Sequence, residues 1–271
     1  MSNYMKISAI ILLGSNAKKS ELNNCLLCLS WVDEVVLVAD EPDKALKDLH
    51  PNTIVVKSKS DNFAKRRNQG AQKASGEWLF YIDSDERVTP KLAGEVQSVV
   101  SHPTASAYRV NRQNYFLGKE MTRAGGWPDA VTRLIKASQL TTWSGDLHEQ
   151  PEVKGEIGQL KNSLVHLTHR NLETMTLKTL KWSKIEAKDR LNQNHPPMST
   201  WRFFRIVLSA FYDSFISRRS AAEGTAGTVE GMFQVYSQFM TYGRLWEYQQ
   251  NPSLKKKYMK VEADIKKQWE N

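Results

Sequence analysis

The sequence contains little of what marks secreted or membrane-spanning proteins. It has no long apolar run without charge, which predicts that it has no transmembrane helix. Residues 1–6 lead straight into a strand pattern, without the basic region, apolar region and cleavage site of a signal peptide. These features predict a cytoplasmic protein, either free or peripheral on the inner face of the cytoplasmic membrane.

Cysteine is scarce, since Cys25 and Cys28 are the only two. Their Cys-x-x-Cys spacing occurs in redox and zinc motifs, but no second pair exists to complete a zinc site. Both lie in an amphipathic helix pattern, so we expect small, buried apolar residues.

The common nucleotide-binding loops are also missing. No Gly-x-Gly-x-x-Gly follows the first predicted strand, and no Gly-x-x-x-x-Gly-Lys-Ser/Thr occurs anywhere. Dinucleotide-binding and P-loop folds are therefore disfavoured.

Positive charge is abundant and uneven. The net charge is +9, and residues 171–271 hold 16 Lys or Arg against 10 Asp or Glu. A basic C-terminal third of this kind indicates an anionic partner.

The chain is organised around residues 77–86, where an apolar run ends in Asp83-Ser84-Asp85-Glu86. Such a run predicts a buried strand of an α/β sheet, and ligands bind at the carboxyl ends of these strands. Two carboxylates one residue apart can share a divalent ion with a diphosphate. The alternative is an acidic surface turn.

Strand and helix patterns alternate through the first hundred residues. Predicted strands are 6–13, 35–39, 53–57 and 77–83; predicted helices are 20–30, 60–75 with Asp61 or Asn62 as cap, and one that starts at Thr89-Pro90. This alternation predicts a doubly wound, mostly parallel sheet with helices on both faces.

The pattern changes after about residue 104. We predict strands at 105–112, 114–119 and 131–136, loops at 125–128 and 143–149, and strand-like alternation over 155–168. From Leu172 the chain is predicted to be helical, with a break at Pro196-Pro197.

Motifs along most of the chain resemble the family 2 inverting glycosyltransferases, and more closely the bacterial lipopolysaccharide-core branch. They are found, in order, at residues 63–70, 74–78, 83–88, 108–110, 114–119, 125–129, 133–135, 148–149, 164–166 and 242–247. The resemblance implies a GT-A fold in residues 1–170, with a nucleotide-sugar half (1–103) and an acceptor half (104–170). Residues 171–271 would be a basic helical extension.

The same resemblance implies a metal-dependent hexosyltransferase. Asp83 and Asp85 would hold Mg²⁺ or Mn²⁺ with the donor diphosphate, and Asp85 would be the direct ligand. Arg67 would face the nucleotide or its phosphates. The donor would be a nucleotide-sugar and the acceptor a glycolipid at an anionic membrane surface; nucleic acid is not an expected partner.

The sequence departs from the family pattern after the first two strands. Gly14-Ser15-Asn16-Ala17 stands where relatives carry Asn-Glu, and Ala39-Asp40-Glu41-Pro42-Asp43 replaces the usual Asp-Ser-Gly-Ser-Thr-Asp loop. Asp40 is the candidate to contact the nucleotide in that loop's place.

Inverting transfer needs one carboxylate to accept the proton of the attacking hydroxyl. Glu149 is the candidate that the resemblance implies, and Asp129 is its rival. His148-Glu149 is followed by Gln150-Pro151 without a second histidine, which excludes a zincin.

Three further side chains are candidates for contact with acceptor or phosphate. Arg133 either contacts phosphate or orders the loop near Asp129 by a salt bridge. The alternative for His148 and Glu149 is a solvated pair in a loop. His166 is either an additional metal ligand or a hydrogen-bonded core histidine.

The helix from about Trp201 to Arg219 repeats aromatic and apolar residues at three- and four-residue spacing, with arginines beside them. Such a helix either lies in an anionic membrane interface or packs on the catalytic domain with its basic side in water.

Two other functions compete with glycosyl transfer. A nucleotidyltransferase that makes sugar nucleotides usually has a Gly-rich basic signature after its first strand, which residues 14–19 match poorly. A non-catalytic relative that binds nucleotide or lipid is the other alternative.

Overall fold

The computed structural model describes residues 5–14, 19–42, 46, 50–123, 129–145 and 149–270. The chain divides into two compact units, Met1–Thr122 with Gly126–Thr168, and Arg123–Gly125 with His169–Asn271. The division of the first unit into donor and acceptor halves stays a prediction.

The first unit alternates strands and helices and then continues as strands. Its helices are α1 (Lys19–Leu27), α2 (Phe63–Lys73) and α3 (Pro90–Ser101). Its strands are β1 (Ile7–Leu13), β2 (Glu34–Ala39), β3 (Thr53–Lys57), β4 (Trp78–Asp83), β5 (Glu86–Arg87), β6 (Ala107–Phe116), β7 (Lys119–Glu120), β8 (Ala130–Lys136), β9 (Leu140–Ser144), β10 (Gln150–Val153), β11 (Ile157–Gln159) and β12 (Leu164–His166).

The main sheet has the strand order β3-β2-β1-β4-β8-β6-β12-β5. The pairs among the first four strands are parallel, whereas β8 runs antiparallel to both β4 and β6. β9 and β10 form a separate antiparallel pair. The carboxyl ends of β1, β2 and β4 therefore meet on one side, as the predicted doubly wound sheet requires.

Alternating side chains of the parallel strands fill two cores, one on each face of the sheet. On one face, odd-numbered residues of β1 such as Ile11 pack with Leu26 of α1 and Leu92 of α3. On the other face, Ile10 packs with Ala64 of α2. Helices thus cover both faces, which is why β1, β2 and β4 are almost entirely apolar.

Local signals located several boundaries correctly. The Asn62 side chain accepts from Lys65 N and caps α2, and Thr89 accepts from Leu92 N and caps α3. Helix α2 ends at Lys73, three residues before the predicted stop at Gly76.

Two predictions in the second half were wrong. Residues 105–112 and 114–119 belong mostly to one strand, β6, which turns at Leu117 and Gly118, both with positive φ. The predicted loop at 143–149 begins inside β9, because Trp143 and Ser144 pair with β10. Residues 124–128 lie outside the described residues.

The second unit is helical, as predicted. It contains α4 (Leu172–Asn192), α5 (Thr200–Phe211), a π-helical turn (Tyr212–Ser217), a 3-10 turn (Ser220–Glu223), α6 (Gly224–Tyr248) and α7 (Leu254–Glu270). Its buried centre includes Ala187, Met198 and Leu245. Throughout the described ranges, every helix is too short or too polar to cross a bilayer.

Candidate active site

The turn after β4 is organised by a buried carboxylate. Glu86 is fully buried, and its Oε2 accepts the backbone N–H of Asp83 at 2.9 Å. This bond closes the Asp83-Ser84-Asp85 turn on itself. Glu86, the third acidic residue of the cluster, therefore stabilises the turn and does not face solvent.

Two arginines face Asp83 from opposite sides. Arg67 NH2 lies 3.1 Å from Asp83 Oδ1. Arg133 contacts Asp83 Oδ2 through NH2, which also lies 2.5 Å from Glu86 Oε1. Each oxygen of Asp83 thus has a guanidinium partner.

These contacts shift the pKa values of the cluster. Burial acts to raise the pKa of Asp83, but Arg133 and Arg67 outweigh it and hold that pKa well below its usual range. Burial acts to lower the pKa of Arg133, and Asp83 and Glu86 overcome it and raise that pKa above its ordinary value. Both groups are charged at neutral pH.

Glu149 meets the same cluster through Arg67. Its Oε1 accepts from Arg67 NH2 at 3.1 Å and from Arg67 Nε at 3.3 Å. The Arg67 guanidinium also lies 4.8 Å from the Trp143 ring centroid. The candidate base and the first Asp of the Asp-x-Asp motif therefore share one buried arginine.

Asn68 explains how Glu149 reaches this position. Its side-chain Oδ1 accepts from Trp143 N at 2.8 Å, and its Nδ2 donates to Trp143 O at 3.0 Å. This amide pair fixes β9 against α2. Because Glu149 directly precedes β10, the partner of β9, it is brought to Arg67 on the same helix.

A second set of polar contacts surrounds Asp129. Arg112 donates to Asp129 through Nε at 2.8 Å and NH2 at 2.9 Å, while Asn114 Nδ2 donates to Oδ2 at 3.0 Å. Arg112 NH1 also lies 3.7 Å from Glu86 Oε1. Side chains of β6 thus hold Asp129. Arg112 connects these contacts to those around Asp83, because both groups of contacts include Glu86.

The same contacts define the tautomer of His166. Since a carboxylate only accepts, Asn114 turns Nδ2 to Asp129 and Oδ1 to His166 Nδ1, 2.6 Å away. In a neutral imidazole, Nδ1 therefore carries the proton. Nε2 then directs its lone pair towards Asp85, whose Oδ2 is 3.6 Å away.

Asp40 is placed by the neighbouring arginine of α2. Arg66 NH1 lies 2.9 Å from Asp40 Oδ1, and its NH2 donates to the carbonyls of Leu13 and Val38 at 2.5 and 2.7 Å. Burial lowers the pKa of Arg66, against the opposing effect of Asp40. Arg66 therefore ties the ends of β1 and β2 to Asp40.

The structure brings most predicted site residues into one connected array. Arg67, Asp83, Arg133 and Glu149 are in direct contact, and Asp85, Asp129 and His166 join through Arg112, Asn114 and Glu86. Asp40 lies at the neighbouring strand ends. His148 lies outside the described residues. No group of three metal-binding side chains occurs among the residues that the structure describes.

Four organising residues escaped the sequence analysis: Asn68, Glu86, Arg112 and Asn114. Glu86 carried a usable signal, since a carboxylate directly after a buried strand needs a cation as partner. Asn68 and Asn114 lie in motifs of the family resemblance, but the sequence assigned them no role. The contacts of Arg112 and Asn114 depend on strand pairing, so their neighbours in the sequence do not predict them.

The two cysteines are free, and the predicted structural role is confirmed for Cys25. Cys25 is buried, and burial raises the pKa of its thiol to about 12. Cys28 is half-buried and packs against the same core.

Comparison with known proteins gives a family match and two curated relatives. Residues 16–143 match the family described as glycosyl transferase family 2. An uncharacterized glycosyltransferase of Rickettsia felis is 22% identical over 259 residues, covering 89% of this chain and 90% of the relative. The lipopolysaccharide core biosynthesis glycosyltransferase LpsC of Rhizobium meliloti is 22% identical over 191 residues, covering 68% and 69%.

A solved structure supports the fold. A mannosyltransferase from Pyrobaculum calidifontis, in complex with GDP-Man and Mn²⁺, superposes with a TM-score of 0.52 at 12% identity, covering 90% of this chain and 88% of that one. The fold is therefore of the GT-A type, with C-terminal helices.

The sequence comparisons identify a sugar-transferring enzyme. The match of residues 16–143 to glycosyl transferase family 2 and the two glycosyltransferase relatives agree, and the protein is a glycosyltransferase.

Proposed function

We propose that this glycosyltransferase transfers a hexose, with inversion and with a divalent metal, from a nucleotide-sugar to a membrane-associated glycolipid of the lipopolysaccharide-core type. The observation that carries the proposal is the meeting of Glu149 and Asp83 on Arg67. It brings a candidate base next to the candidate diphosphate site. The name of the Rhizobium meliloti relative supports the acceptor class.

The residues around Asp85 fit a divalent ion. Asp85 Oδ2 and His166 Nε2 are 3.6 Å apart, close enough for both to bind one ion. Mg²⁺ is commonly bound by one or two carboxylates, with substrate phosphates and water completing its shell. We assign Asp85 and His166 as its ligands; when bound, the ion would stabilise the charge of the leaving diphosphate.

Asp83 has a different role in this proposal from the one predicted. Both of its oxygens face guanidinium groups, so it is poorly placed to be a direct ligand. Its carboxylate instead orients Arg67 towards the donor. Arg133, which is buried between Asp83 and Glu86, orders the turn rather than contacting phosphate.

The charge of the array suits a divalent cation. Five carboxylates (Asp83, Asp85, Glu86, Asp129 and Glu149) face three guanidinium groups (Arg67, Arg112 and Arg133), giving a formal charge of −2 with neutral His166. A divalent cation would offset this excess. We assign Asp40 and Arg66, which lie at the ends of β1 and β2, to contact with the nucleotide base.

Glu149 is the better-placed base. Both oxygens of Asp129 accept hydrogen bonds from Arg112, and one also accepts from Asn114. Glu149 uses only Oε1 among its described contacts. Its second oxygen would accept the proton of the acceptor hydroxyl as that oxygen attacks the anomeric carbon.

Binding measurements separate the metal site from the chemistry. Isothermal titration of UDP- and GDP-sugars, with and without Mn²⁺, should show tighter donor binding with the ion. Asp85→Asn should lose that increment and keep ion-free binding, whereas Asp129→Asn should keep both. An unchanged Mn²⁺ increment in Asp85→Asn contradicts the metal assignment.

The reaction needs its own readout. Transfer to a lipopolysaccharide-core acceptor, followed by NMR of the new linkage, should show the opposite anomeric configuration to the donor. Retention would refute inversion. Formation of a sugar nucleotide from sugar 1-phosphate and nucleoside triphosphate would support the nucleotidyltransferase alternative.

A further inference from the structure

Helix α5 has two apolar sides, and only one of them is packed. Phe203 and Ile206 belong to the core of the helical unit, where the Phe203 ring lies 6.3 Å from that of Phe239 on α6. This inner side attaches α5 to α6. This packing lies within the helical unit, so the alternative that the helix packs on the catalytic domain stays a prediction.

The outer side is a continuous exposed surface, which we call the α5 stripe. Four members recur every three or four residues along α5, and two follow in the π-helical turn: Trp201, Phe204, Leu208 and Phe211, then Tyr212 and Ile216. Their exposure ranges from 46% for Phe211 to 72% for Trp201. Six large apolar side chains in one exposed row are more than the scattered examples found on ordinary surfaces.

Positive charge surrounds the α5 stripe. Arg202, Arg205, Arg218 and Arg219 lie in the same segment, whose one acidic residue is Asp213. Asp213 Oδ2 already accepts from Arg218 Nε at 2.8 Å. Arg205 and Arg219 are exposed beside the apolar row. The surface therefore combines an apolar centre with a cationic rim.

We propose that the α5 stripe docks on an anionic lipid surface. A helix with this pattern lies in the plane of the interface, with its apolar side in the acyl boundary and its arginines among the headgroups. A second copy of the chain is a poorer occupant, because a twofold interface along the stripe would bring the same arginines of both copies together. The biological role of this lipid binding rests on the proposed function, since a glycolipid acceptor lies in such a surface.

The proposal is tested by sedimentation with vesicles, without nucleotide, metal or acceptor. The protein should bind phosphatidylglycerol-containing vesicles, bind pure phosphatidylcholine weakly, and dissociate as salt is raised. Phe204→Ser with Leu208→Ser should reduce binding at least tenfold. Leu177→Ser, which alters a similarly exposed side chain on α4, should leave binding unchanged.

Charge is tested with a matched pair of reversals. Arg205→Glu should weaken binding by about tenfold or more, since each basic residue near an anionic surface contributes roughly fivefold. Lys256→Glu changes the net charge equally on exposed α7 and should have a smaller effect. Circular dichroism and donor binding should match wild type for all variants, so loss of vesicle binding is distinguishable from failure of the proposed enzyme.

Three results would overturn the inference. Equal binding to neutral and anionic vesicles would show that the arginines beside the stripe do not contribute to binding. Unchanged binding of the Phe204→Ser, Leu208→Ser variant, or an equal loss in Lys256→Glu, would place the contact elsewhere. A dimer in sedimentation equilibrium that this variant converts to monomer would assign the stripe to a second copy.

Discussion

Replacing Arg133 by methionine tests whether the buried ion pairs hold the candidate site together. The Arg133 side chain is 4% exposed and contacts both Asp83 and Glu86. Methionine fills similar space but has no charge. The change leaves Glu86, which is fully buried, without its nearest cation.

The expected cost follows from what remains around each carboxylate. Removing one partner of a buried ion pair costs about 3–5 kcal/mol. Glu86 keeps Arg112 at 3.7 Å, so we expect about 3 kcal/mol, the lower end of that range. This figure counts Glu86 only, because solvent screens the 30% exposed side chain of Asp83.

The pH dependence has a definite sign. The pKa of Asp83 is lowered in the folded protein, so its ionisation adds stability above about pH 4, the unfolded value, and that stability is lost as pH falls further. Without Arg133 this lowering is smaller. In addition to the cost at Glu86, the Asp83 part of the stability difference between wild type and Arg133→Met should therefore be fully present above about pH 5 and shrink in more acidic solution.

Urea unfolding at several pH values measures these effects, with thermal unfolding as a second readout. A loss of about 3 kcal/mol corresponds to roughly 6–12 °C in Tm for a domain of this size. Adding Glu86→Gln should recover most of the loss, because glutamine is neutral and still accepts from Asp83 N. Arg109→Met, at an exposed position of β6, is the control and should change little.

The reasoning is refuted if Arg133→Met lowers the free energy of unfolding by less than about 1 kcal/mol, since a buried carboxylate that loses its ion-pair partner should destabilise the protein by more than this. It is also refuted if the double variant is no more stable than the single one. In that case the loss comes from packing around β8 and not from charge.

Three further outcomes are expected. Glu149→Gln should lower kcat by about 10²–10⁴-fold while keeping donor affinity, because glutamine still accepts from Arg67, and Asp129→Asn should keep most turnover; the reverse result would make Asp129 the base. Gly70→Ala should destabilise the protein by about 1–3 kcal/mol in urea unfolding, because the new Cβ would lie 2.6 Å from an Ile10 methyl. Its control is Gly94→Ala, where the new Cβ meets nothing within 4 Å; this change should stabilise the protein by about 0.5–1 kcal/mol. Iodoacetamide at pH 8 should label one thiol quickly and the buried Cys25 only on unfolding; rapid labelling of both would contradict its burial.

The sequence by itself determined the elements that depend on local chemistry. A run of apolar residues predicted β4, and hydrogen-bonding side chains at Asn62 and Thr89 predicted where α2 and α3 begin. Helical periodicity predicted that Cys25 is buried. Each of these follows from neighbours within a few residues, so no knowledge of the fold is needed.

Long-range pairing decided the candidate site. Arg67 and Glu149 are 82 residues apart, and they meet because Asn68 joins α2 to β9. Asp83 reads in sequence as a metal ligand, yet two arginines from other elements occupy its oxygens. A carboxylate's partner depends on which cation the sheet order places beside it, and sequence spacing does not contain that information.

The orientation of α5 was likewise decided only in three dimensions. Periodicity showed an aromatic row at Trp201, Phe204 and Leu208, but Phe203 and Ile206 form a second apolar side on the same helix. Either row could have packed inward. In the structure Phe203 and Ile206 pack into the core of the helical unit, and the row of Trp201, Phe204 and Leu208 stays exposed, because a helix can present only one side to its neighbour.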